Sequence, residues 1–202
     1  MNKGKKPGRP VSKKVLALNE QLRRRRGERD LEKRYLIVCE DDRSARNYFE
    51  ALKKYFNLSA TSVQVVGSGG RSQPIQVVNE AITRKTNAAK PESGTEPFDE
   101  VWCAIDGDFG DKISNARAKA TANGVKLAIS TMCFEYWVLL HFVENDTAAP
   151  NCDAVVSQLK RRSLPEYDKG KCDFREVVPL VRDACQRSEK LRKPGIDRGE
   201  LP

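Results

Sequence analysis

Four short apolar runs, each followed by a segment of helical periodicity, constrain this chain more than any other feature. "YLIVC" (35–39), "SVQVV" (62–66), "EVWCAI" (100–105) and "VKLAIS" (125–130) have the length of strands. The first is apolar without alternation, as a strand covered on both faces must be. Between them, Ser44 to Phe56 carries Tyr48, Phe49, Leu52 and Phe56 at helical spacing. Residues 74–84 open on Pro74 and carry Ile75, Val78 and Ile82, and 112–122 is amphipathic and closes on Asn123-Gly124. "CFEYWVLLHFV" (133–143) is apolar nearly all round, and its place in the alternation makes it a buried helix; weaker helices follow around 153–161 and 174–191. Such alternation with short connections predicts an α/β fold, a parallel sheet of about four strands with helices on both faces.

In sheets of this kind ligands bind outside the carboxyl ends of the strands. That rule gathers Glu40, Asp41 and Asp42 after the first strand, and Gly67, Ser68, Gly69 and Gly70 after the second. Asp106, Gly107 and Asp108 follow the third, and Ser130 ends the fourth. Carboxylates crowded on one edge repel unless a cation joins them, and a hard divalent ion such as Mg²⁺ or Mn²⁺ suits an Asp-x-Asp pair with a neighbouring Glu. With a phosphodiester bound, such ions activate the nucleophile and stabilise the leaving oxygen. Asp41 and Asp42 are better read as caps of the next helix than as ligands. Gly67, Gly69 and Gly70, with Arg71 beside them, have the composition of a phosphate-approaching turn, though most such turns are only turns. His141 is the single histidine. In a buried helix it reads first as a satisfied core residue and second as a proton-transfer or substrate-contacting group two turns from Glu135.

The formal excess of +9 is localised. Residues 1–34 hold 13 Lys+Arg against 4 Asp+Glu, and 35–202 hold 24 of each. The chain therefore divides into a basic arm (1–34), an α/β core (35–145) and a C-terminal helical extension (146–202). The arm, densest at Arg23, Arg24, Arg25 and Arg26, attracts polyanions through counterion release, and its lack of aromatic residues favours nucleic acid over membrane. A solvated, disordered tail is the plainer reading of such a charge block. No apolar run is long enough to span a bilayer, and no signal-peptide pattern precedes the core. The six cysteines are scattered, without a C-x-x-C pair. That pattern predicts free thiols in a reduced, cytoplasmic protein and no zinc site.

"LIVCEDD…NYFEAL", "VWCAIDGD" and "AISTMCFEYWVLLHF", in this order over residues 34–145, resemble the RloB family of restriction-locus and phage-defence proteins. That family is related to Toprim domains. The resemblance implies a Toprim-like sheet with a catalytic Glu after the first strand and Asp-x-Asp after the third, matching Glu40, Asp106 and Asp108. It further implies a Ser and an acid past the fourth strand that assist a second metal, for which Ser130 and Glu135 are the candidates. Two positions depart from the family pattern: Asp41 stands where a Gly is common, and Met132 where a Pro precedes the Cys-Phe-Glu string. The first makes the pocket more acidic and leaves open which carboxylate does the chemistry; the second loosens the turn after the fourth strand.

The leading expectation is thus a metal-dependent nuclease acting on RNA, with tRNA in view, or on DNA, in anti-phage defence. Defence-system partner proteins and a homo-oligomer accompany that expectation; a membrane partner does not. Two other readings compete. A receiver-like phosphoacceptor would use the "IVCEDD" acids but calls for a further strand ending in Lys, and a non-catalytic nucleic-acid module would need exposed stacking aromatics.

Overall fold

The computed structural model describes residues 33–70, 73–144 and 150–197. β1 (Tyr35–Cys39), β2 (Val63–Gly67), β3 (Glu100–Asp106) and β4 (Lys126–Ser130) form a parallel sheet in the order β2-β1-β3-β4. β1 is central and bonded on both edges, which is why its run is apolar without a polar face. Its residues divide between two cores. Leu36 and Val38 join Val101, Cys103 and Ile105 of β3 beneath α2 (Pro74–Ala88) and α3 (Lys112–Ala122). Cys39, with Val63, Val65 and Ala104, faces α1 (Ser44–Tyr55), α4 (Phe134–Leu140) and α5 (Cys152–Arg162). The expected α/β class, with a four-stranded parallel sheet flanked by helices on both faces, is therefore the observed one.

Local signals account for most boundaries. Pro74 opens α2, and Gly124 at φ 60° follows the end of α3. Asn151 caps α5 by accepting the Ala154 N–H at 2.9 Å. α2 runs one turn past the expected 84, and its buried face is set by Val77, Val78 and Ala81 rather than by Ile75 and Ile82, which are only partly covered. The segment expected as one helix over 174–191 is instead two short 3-10 turns, Phe174–Glu176 and Val178–Leu180, followed by α6 (Val181–Asp197). Pro179 lies inside the second turn and denies an α-helix its backbone donor there.

α5, α6 and these turns pack on α4 and α1, so Val155, Leu159, Tyr167, Phe174, Val177 and Val178 share one cluster with Tyr48, Phe134 and Leu139. Tyr48 is its hub. Its ring lies 5.4–6.4 Å from those of Phe49, Phe134, Trp137, His141 and Phe174, all near edge-to-face. His141 sits in this core, 1% exposed, just past the end of α4. Its Nδ1 faces the Trp137 carbonyl at 3.0 Å, which can only accept, so Nδ1 carries the proton and Nε2 accepts from the Tyr48 hydroxyl at 3.0 Å. Burial pushes the imidazole down to about 4, partly offset by the bond to Trp137, so it is neutral at physiological pH.

The expectation of free thiols throughout is corrected here. Cys39, Cys103, Cys172 and Cys185 are free, but Cys133 and Cys152 form a disulfide with their Cα atoms 5.9 Å apart. Sequence spacing missed it because the partners, 19 residues apart, meet only when α4 packs on α5. No helix among the described residues is long and apolar enough to cross a membrane.

Tyr48→Phe removes the donor to a buried imidazole nitrogen while keeping the ring packing. Urea denaturation is expected to show a loss of about 1–2 kcal/mol. Divalent-cation binding measured by calorimetry should be unchanged, because the Tyr48–His141 pair is a core device.

Candidate functional site

The parallel register brings the ends of β1, β3 and β4 together. Cys39 pairs with Ala104, and Asp106 with Ser130. Glu40 continues the ladder for one more bond, donating its N–H to the Ala104 carbonyl at 3.0 Å. Its side chain then turns across to β3, where Oε2 accepts the Asp106 N–H at 2.9 Å. Asp106 in turn reaches the start of α4, its Oδ1 accepting the Phe134 N–H at 2.9 Å. A relay of backbone donors thus ties the acids of β1 and β3 to each other and to α4, and leaves Oε1 of Glu40 and Oδ2 of Asp106 without hydrogen bonds among the described residues.

Charge is crowded here. Burial pushes the Glu40 carboxyl up from 4.5 to about 7; the Asp106, Asp108 and Asp41 carboxylates add to the rise, while the Asp106 N–H opposes it. Asp106 rises from 3.8 to about 7, first through burial and then through the Glu135 charge, with the Phe134 N–H opposing and Asp108 and Asp41 adding. Asp108 is exposed at the rim. Gly107 between them is required by close approach: a Cβ there would run into the Ser130 carbonyl oxygen, and the Gly107 N–H donates to the Met132 carbonyl at 3.1 Å. Met132 occupies the left-handed region at φ 64°, so the turn after β4 closes tightly without the Pro common in the resembled family.

The acid triplet after β1 divides its labour. Asp41 accepts the N–H groups of Ser44 and Ala45, each at 3.2 Å, and so closes the first turn of α1 as expected. Asp42 does something else. Its carboxylate lies over Gly67, where any Cβ would overlap its Oδ1. That places an acid against the first glycine of the turn read as a phosphate cradle. Ser68, buried beside it, donates to the Glu40 carbonyl at 2.5 Å, and Gly69 and Gly70 follow at φ 68° and 81°, exposed. Arg71 and the arginines at 23–26 lie outside the described residues. Ser130 ends β4 opposite Asp106, and His141 stands in the core apart from this edge, both nitrogens engaged.

Glu135 sits behind Asp106, 1% exposed. Its Oε1 accepts from the Ser44 hydroxyl at 3.0 Å and the Tyr167 phenol at 2.9 Å, and its Oε2 pairs with the Lys169 ammonium at 3.2 Å. The Tyr167 phenol is pushed up by burial and then by the Glu135 charge, so it stays a donor. The Lys169 carbonyl lies 3.2 Å from the Ser44 hydroxyl and shares its single proton with Glu135. Ser44, Tyr167 and Lys169 were invisible as site residues in the sequence, because nothing local to 164–172 signals that this loop folds back onto the start of α1.

The residues of the edge fit a hard divalent cation: carboxylate oxygens, two of them on acids already carrying excess repulsion, with one oxygen each unbonded among the described residues. They are not closed into a cage. Among the described residues, the group of three ligand-type side chains with donor atoms all within 4.8 Å is Cys133, Glu135 and Cys152, whose sulfurs are bonded to each other.

Comparison with known protein families matches residues 35–200 to the family described as RloB-like protein. The chain belongs to the RloB-like family. The match extends past the motifs of the core to cover the loop that brings Tyr167 and Lys169 to Glu135 in this RloB-like chain. No curated protein and no solved structure matches it.

Both raised acids bind protons in the folded state that they would release unfolded, so their share of stability is fully present below about 4 and is lost as pH rises to about 7. In EDTA, Glu40→Gln and Asp106→Asn are therefore expected to raise the melting temperature at pH 8 relative to the parent chain and to match it near pH 4. Allowing for solvent at this half-buried edge, the gain is about 1 kcal/mol, or about 2–4 °C, checked by calorimetric scans across pH.

Proposed function

We propose that this RloB-like protein is a metal-dependent nuclease with a Toprim-like core, cleaving phosphodiester bonds in RNA, tRNA among its candidate substrates, or in DNA. The observation that carries this reading is the Glu40 carboxylate bonded to the Asp106 N–H, which joins the acids of two strands into one half-buried edge with depressed ionisation. Carboxylates whose ionisation is opposed in this way cost stability, and such groups cluster at sites where a cation or a proton is handled.

Asp106 and Asp108 would hold Mg²⁺ or Mn²⁺, with Glu40 and Ser130 beside them, and such an ion supplies charge neutralisation at the phosphate and a more acidic bound water. The chain's own groups do the rest. Glu40 lies at the end of β1, where Oε1, unbonded among the described residues, would orient or deprotonate a water. Glu135, fixed by Ser44, Tyr167 and Lys169, stands behind Asp106 and holds negative charge against it. The basic N-terminal arm supplies sequence-independent affinity for the substrate backbone, which falls steeply with salt. The reading includes a cytoplasmic role in anti-phage defence, with partner proteins of the same system or further copies of the chain, as the resemblance to restriction-locus proteins implies.

The competing readings have less support. A receiver-like pocket calls for a fifth strand, and the described sheet has four. A stacking platform would need aromatics beside the acids. Phe109, next to Asp108, packs against the core, and the exposed ones among the described residues, Tyr55 and Phe56, stand at the far end of α1 from the site.

Incubation with total RNA, plasmid and single-stranded DNA, each with Mg²⁺, Mn²⁺ or EDTA, is expected to show cleavage of at least one substrate that EDTA abolishes. Asp106→Ala and Asp108→Ala should each lower the rate by at least about 100-fold while circular dichroism shows both folded. Undiminished cutting by both variants would refute the assignment.

A further inference from the structure

Cys133 and Cys152 occupy a position that a merely structural crosslink does not need. Cys133 immediately precedes Phe134, whose N–H holds Asp106, and immediately follows Met132, whose carbonyl holds the Gly107 N–H. The residue therefore sits in the middle of the turn on which the β3 acids depend. Its partner Cys152 is the first residue of α5, so the bond ties this turn to a separate helix.

The surroundings of the two sulfurs differ. Cys133 is 1% exposed, whereas Cys152 is partly exposed. The Lys169 ammonium lies 3.7 Å from the Cys152 sulfur and 3.2 Å from Glu135, and Glu135 Oε2 lies 3.5 Å from the same sulfur. Cys152 is therefore the sulfur that a small thiol or disulfide reaches from solvent, while Cys133 is covered. The four other cysteines are placed otherwise. Burial pushes the Cys39 thiol up, Cys103 to about 12 and Cys172 to about 11, and Cys185 is raised as well.

We propose that Cys133 and Cys152 form a reversible thiol–disulfide switch that sets the order of the acidic edge, exchanged by small disulfides and thiols of the glutathione type with Cys152 as the entry sulfur. In the closing direction, the Cys152 thiolate attacks one sulfur of the small disulfide and expels one small thiolate. The Cys133 thiol then loses its proton to solvent and attacks the Cys152 sulfur, expelling the second. Two protein thiols are oxidised by two electrons and one small disulfide becomes two thiols; opening is the reverse, with a small thiolate attacking at Cys152. Closed, the bond pins the Met132–Phe134 turn against α5 and keeps the Phe134 N–H on Asp106. Open, the turn is held by its hydrogen bonds and by the packing of Phe134 in the core, without the tie to α5. The functional consequence rests on the acidic edge being the working site, as proposed above; the switch itself does not.

The test uses the whole, unsubstituted chain. Reduced protein is equilibrated with oxidised and reduced glutathione mixtures, free thiols are alkylated, and peptide masses report which cysteines are joined. The backbone exchange rate of the Phe134 amide is then measured in both states by NMR, relative to that of Val38 in the centre of β1. The expected result is a 133–152 crosslink that forms and reopens with the glutathione ratio, and a relative Phe134 exchange roughly tenfold faster in the reduced state, the loss of about one tethered hydrogen bond. Cys172→Ser should leave both readouts unchanged. Failure of the reduced protein to form the crosslink would overturn the proposal. So would a crosslink that forms but leaves the relative Phe134 rate unaltered, since the bond would then be structural only. Neither readout requires metal or substrate, so absence of nuclease activity would count against the proposed function without touching this result.

Discussion

The bond from the Asp106 N–H to the Glu40 carboxylate is the contact on which the candidate site depends. A parallel sheet supplies the two backbones at the right separation, and the extra ladder bond from the Glu40 N–H to Ala104 carries β1 one residue further than its apolar run. Glu40 then points across β3 instead of into solvent. Without that bond the acids of β1 and β3 would repel one another apart; with it, one carboxylate is anchored by the backbone of the other.

Anchoring has a consequence for charge. The same burial that orders Glu40 and Asp106 raises both to about 7, so the metal-free edge holds protons that a divalent cation would displace. The molecule surrounds this strained edge with donors fixed in place: the Phe134 N–H at the start of α4, and the Ser44, Tyr167 and Lys169 groups around Glu135. These four groups come from three parts of the chain far apart in sequence. The segment that follows α5 is therefore part of the site's support as well as of the core.

Polar groups in the neighbouring core follow a different logic. His141 and Tyr48 satisfy each other and the Trp137 carbonyl, and burial keeps the imidazole neutral. The contrast with Glu135 is instructive, since both lie on or at the end of the same short helix. Glu135 has a cation and two hydroxyls; His141 has an aromatic shell and a carbonyl. Position along α4 separates a residue facing the site from one that fills the core.

Much of this was legible in the chain alone. Apolar runs of strand length, helical spacing between them, Pro74 and Gly124 determined the order of elements, because burial periodicity and backbone constraints act locally. The rule that loops at strand carboxyl ends converge was enough to gather Glu40, Asp106 and Asp108, and Asp41 was recognisable as a cap. Tertiary structure alone decided the rest. That Asp42 covers Gly67, that Lys169 meets Glu135 and that Cys133 finds Cys152 all depend on which elements pack side by side. Such pairings are made by long-range contacts between side chains whose sequence neighbourhoods carry no periodic or compositional mark, so the chain specifies them only through the fold as a whole.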